Sequence, residues 1–248
     1  VNQPDEILIS TASNDPLCGG EFAGDIDAEV TGGTLDYIYS WTGPSGFTAD
    51  APFIEMLEAG CYDLEVTDAN GCIATNQTCL LAPDAIDLSA ILTQNICFGD
   101  SLGEIDLSIN GGTPDFTLVW VGPGAFTADT EDLQGLVAGQ YDLQVTDGNA
   151  CMVDTFFVIT STDELIADPT LVPPACPGEA NGSIEIVISG GTPGYTVNWT
   201  ADNGFIGTGM LIEDLEAGAY TATIVDANGC LNAQLIELDD PEPLDVLA

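Results

Sequence analysis

The chain has 248 residues, 45% of them hydrophobic, and carries 41 Asp plus Glu against no Lys, Arg or His, a formal charge of −41. Phosphate backbones and anionic membrane surfaces are bound through Lys and Arg, so nucleic-acid binding and electrostatic membrane attachment are excluded. The same lack removes the side chain that titrates near neutral pH, the Schiff-base amine and every internal salt bridge between side chains.

With 17% charged residues, the acids are interleaved with enough apolar residues to build cores, unlike an acidic disordered chain. No run approaches the roughly 20 apolar residues of a membrane-spanning helix, so no membrane insertion is expected. The first junction, Pro4-Asp5-Glu6-Ile7, returns as Pro83-Asp84-Ala85-Ile86, Thr162-Asp163-Glu164-Leu165 and Pro241-Glu242-Pro243-Leu244. Cys18 follows, with copies at Cys97 and Cys176, a period of 79 residues. Ile26, Ala28 and Val30 then alternate with Asp25, Asp27 and Glu29, which predicts a half-buried strand. Ile105, Leu107 and Ile109 repeat it, as do Ile184, Ile186 and Ile188.

A Gly32-Gly33-Thr34 turn comes next, repeated at Gly111 and Gly190, and leads into an aromatic strand ending on Trp41, Trp120 or Trp199. Phe47, Phe126 and Phe205 recur in one loop, where packing is as good an account as ligand binding. A later strand turns Tyr62, Leu64 and Val66 inward and Asp63 and Glu65 outward; its tyrosine returns as Tyr141 and Tyr220. No segment of helical length shows a 3.6-residue period. Short alternating strands with Gly and Pro turns around one Trp per copy predict an all-β protein of tandem immunoglobulin-like β-sandwich repeats. The three copies are expected over residues 1–82, 83–161 and 162–240, with 241–248 as the first strand of a further repeat cut from a longer array. Disulfide and Tyr positions differ from those of antibody domains, so only the architecture carries over. Most of the acids are read as solvent faces of strands.

Three groups of residues carry a family resemblance. Gly-Gly-Thr-Pro stands at Gly111–Pro114 and Gly190–Pro193, with Leu35 replacing Pro in copy one. Leu57-Glu58-Ala59-Gly60-Cys61-Tyr62 and Leu215-Glu216-Ala217-Gly218-Ala219-Tyr220 form a turn and strand. Asp68-Ala69-Asn70-Gly71-Cys72 and Asp226-Ala227-Asn228-Gly229-Cys230 form a tip, which copy two changes to Asp147-Gly148-Asn149-Ala150-Cys151. In combination these residues resemble the SprB repeat of large gliding-motility and cell-surface adhesins of Bacteroidetes-type bacteria. The resemblance implies type IX secretion, display at the extracellular bacterial surface and no catalytic residue.

Eight cysteines without metal-binding spacing imply disulfides and an oxidising compartment. One bond inside each repeat is expected: Cys18 to Cys72, Cys97 to Cys151 and Cys176 to Cys230. The alternative joins neighbours, Cys72 to Cys97 and Cys151 to Cys176. Cys61 and Cys79 belong to copy one alone. A three-residue loop closed by the pair 68 and 72 puts 61 opposite 79, so an outward staple across the last hairpin is expected. Such closures suit a stalk under tension.

Paired carboxylates arise by chance among so many acids, and no His is present to activate a Cys, so the chain is not read as an enzyme. Calcium is the one cofactor that the junction acids Asp84, Asp87, Asp163, Glu164 and Asp168 could take. Asp100-Ser101-Leu102 resembles a bacterial O-glycosylation signal, with the sugar on Ser101. The expected function is a non-catalytic structural stalk segment of a long secreted adhesin or filament, whose partners are neighbouring repeats of the same long chain or fibre and surface glycans reached through strand tips. The alternatives are a subunit of a polymeric extracellular fibre joined through its terminal segment, and a calcium-stiffened binding module.

Overall fold

A computed structural model describes residues 5–241. The first repeat has seven strands: β1 (Leu8–Asn14), β2 (Gly24–Thr31), β3 (Ile38–Thr42), β4 (Thr48–Ala49), β5 (Phe53–Leu57), β6 (Gly60–Thr67) and β7 (Ile73–Leu80). They form a three-stranded sheet β1-β2-β5 and a four-stranded sheet β4-β3-β6-β7, all antiparallel.

The second repeat runs β8 (Asp87–Thr93), β9 (Gly103–Asn110), β10 (Thr117–Gly122), β11 (Phe126–Ala128), β12 (Leu133–Leu136), β13 (Gly139–Thr146) and β14 (Met152–Ile159). The third runs β15 (Ile166–Val172), β16 (Gly182–Ser189), β17 (Thr196–Ala201), β18 (Ile206–Thr208), β19 (Leu211–Leu215), β20 (Gly218–Val225) and β21 (Leu231–Leu238). Both reproduce the same two sheets. The chain is therefore all-β, three immunoglobulin-like sandwiches in tandem. An antibody constant domain carries its fourth strand on the sheet of its first strand. Here the short β4 pairs instead with β3 on the other sheet.

Alternation decides which residues are inside. Along β2, Ile26 and Ala28 are buried while Asp27 and Glu29 are exposed; along β6, Tyr62, Leu64 and Val66 are buried while Asp63 and Glu65 face water. Each sandwich closes its own core around Trp41, Trp120 or Trp199, none more than 1% exposed. Each indole N–H donates to a backbone carbonyl ten residues on: Ala51, Thr130 and Gly209, at 2.9, 3.0 and 2.9 Å. The buried polar edge is thus satisfied, as burial requires.

The tyrosines do more than fill the core. Tyr62, Tyr141 and Tyr220 donate their hydroxyls to the carbonyls of Glu58, Val137 and Glu216, at 3.0, 3.0 and 2.8 Å. This is a tyrosine corner, fixing the chain as it enters the strand. Sequence spacing alone had left only the general architecture to be shared with antibody domains. Against each tyrosine lies the recurrent loop phenylalanine, edge to face, with ring centroids 5.3, 5.4 and 5.6 Å apart for Phe47, Phe126 and Phe205. Those phenylalanines are spent on packing.

The segment expected to open a further repeat falls, beyond Pro241, outside the described residues.

Candidate functional site: the joints between repeats

Each sandwich has two poles, and the cysteines occupy both. The β1–β2 connection, with Cys18, lies at the pole where Gly24 pairs with Leu57 and Gly60 with Leu80. The β6–β7 tip, with Cys72, lies at the other pole, beside the Gly32-Gly33-Thr34 turn. The 8-residue β6 separates them, roughly 25 Å of strand. A disulfide tolerates Cα atoms only about 4.4–6.8 Å apart, so Cys18 cannot reach Cys72 within one repeat.

The structure corrects the expected pairing. Cys18 bonds Cys151 and Cys97 bonds Cys230, with Cα–Cα distances of 5.6 and 5.5 Å and the same 133-residue separation. The exit pole of one repeat abuts the entry pole of the next, and each bond crosses that joint. The intra-repeat pairs Cys97–Cys151 and Cys176–Cys230 fail for the reason given for Cys18–Cys72. The alternative neighbour pairs, Cys72–Cys97 and Cys151–Cys176, fail because they would join the two poles that face away from the shared joint. Cys72 and Cys176 are free thiols, both exposed.

Cys61 and Cys79 stand opposite each other across β6 and β7 and are bonded, Cα atoms 3.9 Å apart. The tip closes as its residue types require: the Asp68 amide donates to the Cys72 carbonyl at 2.9 Å, which places Thr67 against Ile73 and sets the register outward to Cys61.

The two halves of a joint are built differently. The outgoing half is a turn of sequence Cys-x-Gly-acid. The amides of Glu21, Asp100 and Glu179 donate to the carbonyls of Cys18, Cys97 and Cys176, at 3.4, 3.2 and 3.1 Å. Its third residue, Gly20, Gly99 or Gly178, has φ of +79°, +78° or +79°, which favours glycine.

The incoming half is the tip, organised by a buried aspartate. Asp68 is 4% exposed; its Oδ1 accepts from the amides of Asn70 and Cys72 at 2.9 and 2.8 Å, and its Oδ2 from the amide of Thr34 at 3.0 Å. Asp147 and Asp226 repeat all three bonds. The carboxylate pins the tip to the Gly-Gly-Thr turn and holds the cysteine in place. In Asp68 the amide of Cys72 is the largest influence and draws the pKa below the ordinary Asp value. In Asp147 and Asp226 burial pulls upward, but the amides of Thr113 and Thr192, Cys151 and Cys230, and Asn149 and Asn228 outweigh it, and the net direction is again down. From sequence these residues read as turn formers; that one residue type recurs at a tip, two residues after each copy's Val66, Val145 or Ile224, did not disclose a buried hub.

At the first joint, the Asn149 Nδ2 donates to the Leu17 carbonyl at 2.9 Å, and the Cys151 sulfur lies 3.6 Å from that same oxygen. Gly19 sits so close to Pro83 and Ala85 that a Cβ would overlap their backbone. At the second joint, Thr162 Oγ1 donates to the Ile96 carbonyl at 3.0 Å, and the Cys230 sulfur lies 3.8 Å from it.

Among the described residues, no three Asp, Glu or Cys side chains gather to hold a metal ion. Asp84, Asp87, Asp163, Glu164 and Asp168 are thus not brought into a calcium cage. Asp84 and Asp163 instead use their backbone carbonyls, which accept from Gly112 and Gly191 at 2.8 and 3.0 Å. Ser101 is exposed, in the connection before β9. Among the described residues, no helix is long and apolar enough to cross a membrane.

Similar solved structures are tandem immunoglobulin arrays. They include the full ectodomain (Ig1–Ig3) of mouse nectin-like molecule 4, at 12% identity over 97% of this chain and 96% of that one, with a TM-score of 0.44. Sidekick-1 immunoglobulin domains 1–5 match at 14% identity over 95% of this chain and 59% of that one, TM-score 0.33. Drosophila OTK extracellular domains 3–5 match at 14% identity over 82% and 86%, TM-score 0.26. Likeness at this level says nothing of function. No curated protein matches the sequence. The SprB repeat family model matches three times, over residues 10–46, 89–124 and 169–204. Each match runs from the first strand of a sandwich to the Pro44-type turn, leaving the tip motifs outside it. One such match falls in each sandwich.

Proposed function

We propose that this chain is a non-catalytic stalk segment of a long adhesin, exported by the type IX route and displayed on the bacterial surface, where it carries tension during adhesion or gliding. The observation that carries the reading is the lacing of each repeat to the next by a disulfide. The two 133-residue loops overlap. Tension applied across Cys18 and Cys230 therefore runs through one bond, back along the chain from Cys151 to Cys97, and out through the other. The surface chemistry suits the role: acids line the outer faces, and their mutual repulsion opposes lateral clumping. The recurrent loop phenylalanines Phe47, Phe126 and Phe205, which glycan binding through that loop would need exposed, are packed on tyrosine.

Single-molecule stretching between residues 18 and 230 tests this. With bonds intact, the fully unfolded span is that of the Cys97–Cys151 stretch, roughly 190 Å at about 3.5 Å per residue. After reduction it becomes roughly 740 Å. Equal extension before and after reduction would remove the mechanical reading.

A further inference from the structure

Cys72 and Cys176 occupy, in the first and third repeats, the positions that form the joints elsewhere. Cys72 is the counterpart of Cys151 and Cys230; Cys176 is the counterpart of Cys18 and Cys97. The surroundings match too. In the third repeat, Asp163, Glu164, Leu165, Gly229, Cys230, Leu231 and Asn232 line a concavity whose remaining wall is Cys97, Phe98 and Asp100 from the second repeat, leaving about 350 Å³. In the first repeat the same positions, from Asp5 to Ile7 and from Cys72 to Ala74, line a concavity of about 610 Å³. Asn70, the counterpart of Asn149, already has its Nδ2 on Thr34 Oγ1 at 2.8 Å. Asn149 makes that bond and the joint contact to Leu17 together. The outgoing turn of the third repeat is equally complete: Cys176-Pro177-Gly178-Glu179 holds the turn that Cys97-Phe98-Gly99-Asp100 holds in the formed joint.

We infer that the concavity at Cys72 is a docking site for the Cys176 turn of a second copy of this chain, and that docking is sealed by a Cys176–Cys72 disulfide, head to tail. Each incoming bond would match the two already present, so the contact is heterologous and propagates rather than closing on itself. Formation takes two thiols and a small disulfide oxidant such as oxidised glutathione. One sulfur–sulfur bond forms between the chains, the oxidant's bond breaks, and it leaves as two thiols carrying the two electrons and two protons. Because both partners are strongly acidic, encounter is slowed by repulsion that salt screens.

The test uses the whole chain in a glutathione redox buffer at raised ionic strength, followed on non-reducing gels and by peptide mapping. The unaltered chain should form a ladder whose new cross-link is Cys72–Cys176. Cys72→Ser alone and Cys176→Ser alone should stay monomeric, and an equimolar mixture of the two should stop at the dimer. Both substitutions are at exposed positions and leave the three existing bonds intact. Asn70→Ala should slow the mixture several-fold without changing its product. If either single variant dimerises as fast as the mixture, the pairing is random thiol oxidation and the docking site is wrong. If the mixture fails to dimerise, it is wrong as well. Neither result bears on the tensile reading, which depends on the bonds at Cys18 and Cys97.

Discussion

The two joints share a disulfide, the outgoing turn and the aspartate-held tip, and differ in the contacts around them. Their Cα–Cα distances agree to within 0.1 Å, 5.6 against 5.5 Å. In both, the carbonyl preceding the outgoing cysteine lies near the incoming sulfur. Around that constant, the first joint uses Gly19 against Pro83 and Ala85 and a hydrogen bond from Asn149, whereas the second uses Phe98 and a hydrogen bond from Thr162. The bond sets where one sandwich meets the next, and the non-covalent contacts adapt to whatever side chains each copy supplies.

The sharpest way to break this comparison exploits the lack of Lys and Arg. Leu81, which is 71% exposed, lies in the linker between the first two repeats. Leu81→Arg creates a single site for trypsin. After cleavage, the two fragments should remain joined on a non-reducing gel through Cys18–Cys151 and separate only on reduction. Separation without reductant would restore the intra-repeat pairing. Removing a joint's two sulfurs together, as Cys18→Ser with Cys151→Ser, should lower stability by up to about 5 kcal/mol in the chain-entropy model for a 133-residue loop. The same change at Cys97 and Cys230 should cost a similar amount, but the two losses will not add, because the loops overlap. Denaturant titration of the single and combined variants reads both numbers.

Gly19→Ala asks whether the first joint depends on close backbone approach. The added Cβ meets the backbone of Pro83 and Ala85, which can move only by opening the joint. A loss of about 1–3 kcal/mol is expected, the usual range for overpacking. Phe98→Gly at the second joint should cost less, about 1 kcal/mol, since Phe98 is 57% exposed. Equal losses would mean that the two joints are alike in their packing after all.

The fold was legible because its signals are local: period-two alternation in Ile26-Ala28-Val30, the Gly-Gly turns, and one Trp per copy. The staple was legible for the same reason, since the tip loop sets the register from Asp68 to Cys79. The joint bonds were not read, yet the information was present. An odd number of strands separates Cys18 from Cys72, three if only the strongest alternating segments are counted and five in the structure (β2 to β6). In an antiparallel sandwich an odd number puts the two residues at opposite poles. Counting direction, not spacing, would have placed Cys18 beside the next repeat. The buried role of Asp68, by contrast, depends on the Thr34 amide brought in from another turn, which no local pattern announces.

The aspartate hub ties both joints to pH. Asp226 has its pKa held below the unfolded value, so its contribution is fully present above the ordinary Asp pKa of roughly 3.9 and is lost as pH falls through the lower folded value. Asp226→Asn turns an amide toward the Thr192 N–H and should lower the thermal midpoint at pH 7. The gap between variant and parent should narrow below about pH 3, where the parent carboxyl is itself protonated. A gap that stays constant down to pH 2 would show that charge is not what the hub contributes. Comparison with the parent at each pH cancels the change in overall repulsion as the other acids titrate.

The smallest expected effect concerns the odd tip of the second repeat. Copies one and three carry Gly71 and Gly229 before the cysteine, with φ of +82° and +87°; copy two carries Ala150 at φ +66°. Its glycine has moved to Gly148, where a Cβ would press on the Pro114 carbonyl. Copy one has Leu35 at the position of Pro114, but copy three keeps Ala227 beside Pro193, so the proline alone does not account for the exchange. Ala150 is then left in a conformation that disfavours a side chain by about 1–2 kcal/mol. Ala150→Gly should relieve it and, after the entropy glycine adds to the unfolded chain, raise stability by about 0.5 kcal/mol. Gly148→Ala should do the reverse and more, since the Pro114 carbonyl cannot retreat without disturbing the turn that Asp147 holds through Thr113. If Ala150→Gly is neutral while Gly148→Ala is costly, the tip of copy two is limited by crowding alone, and its backbone conformation carries no penalty.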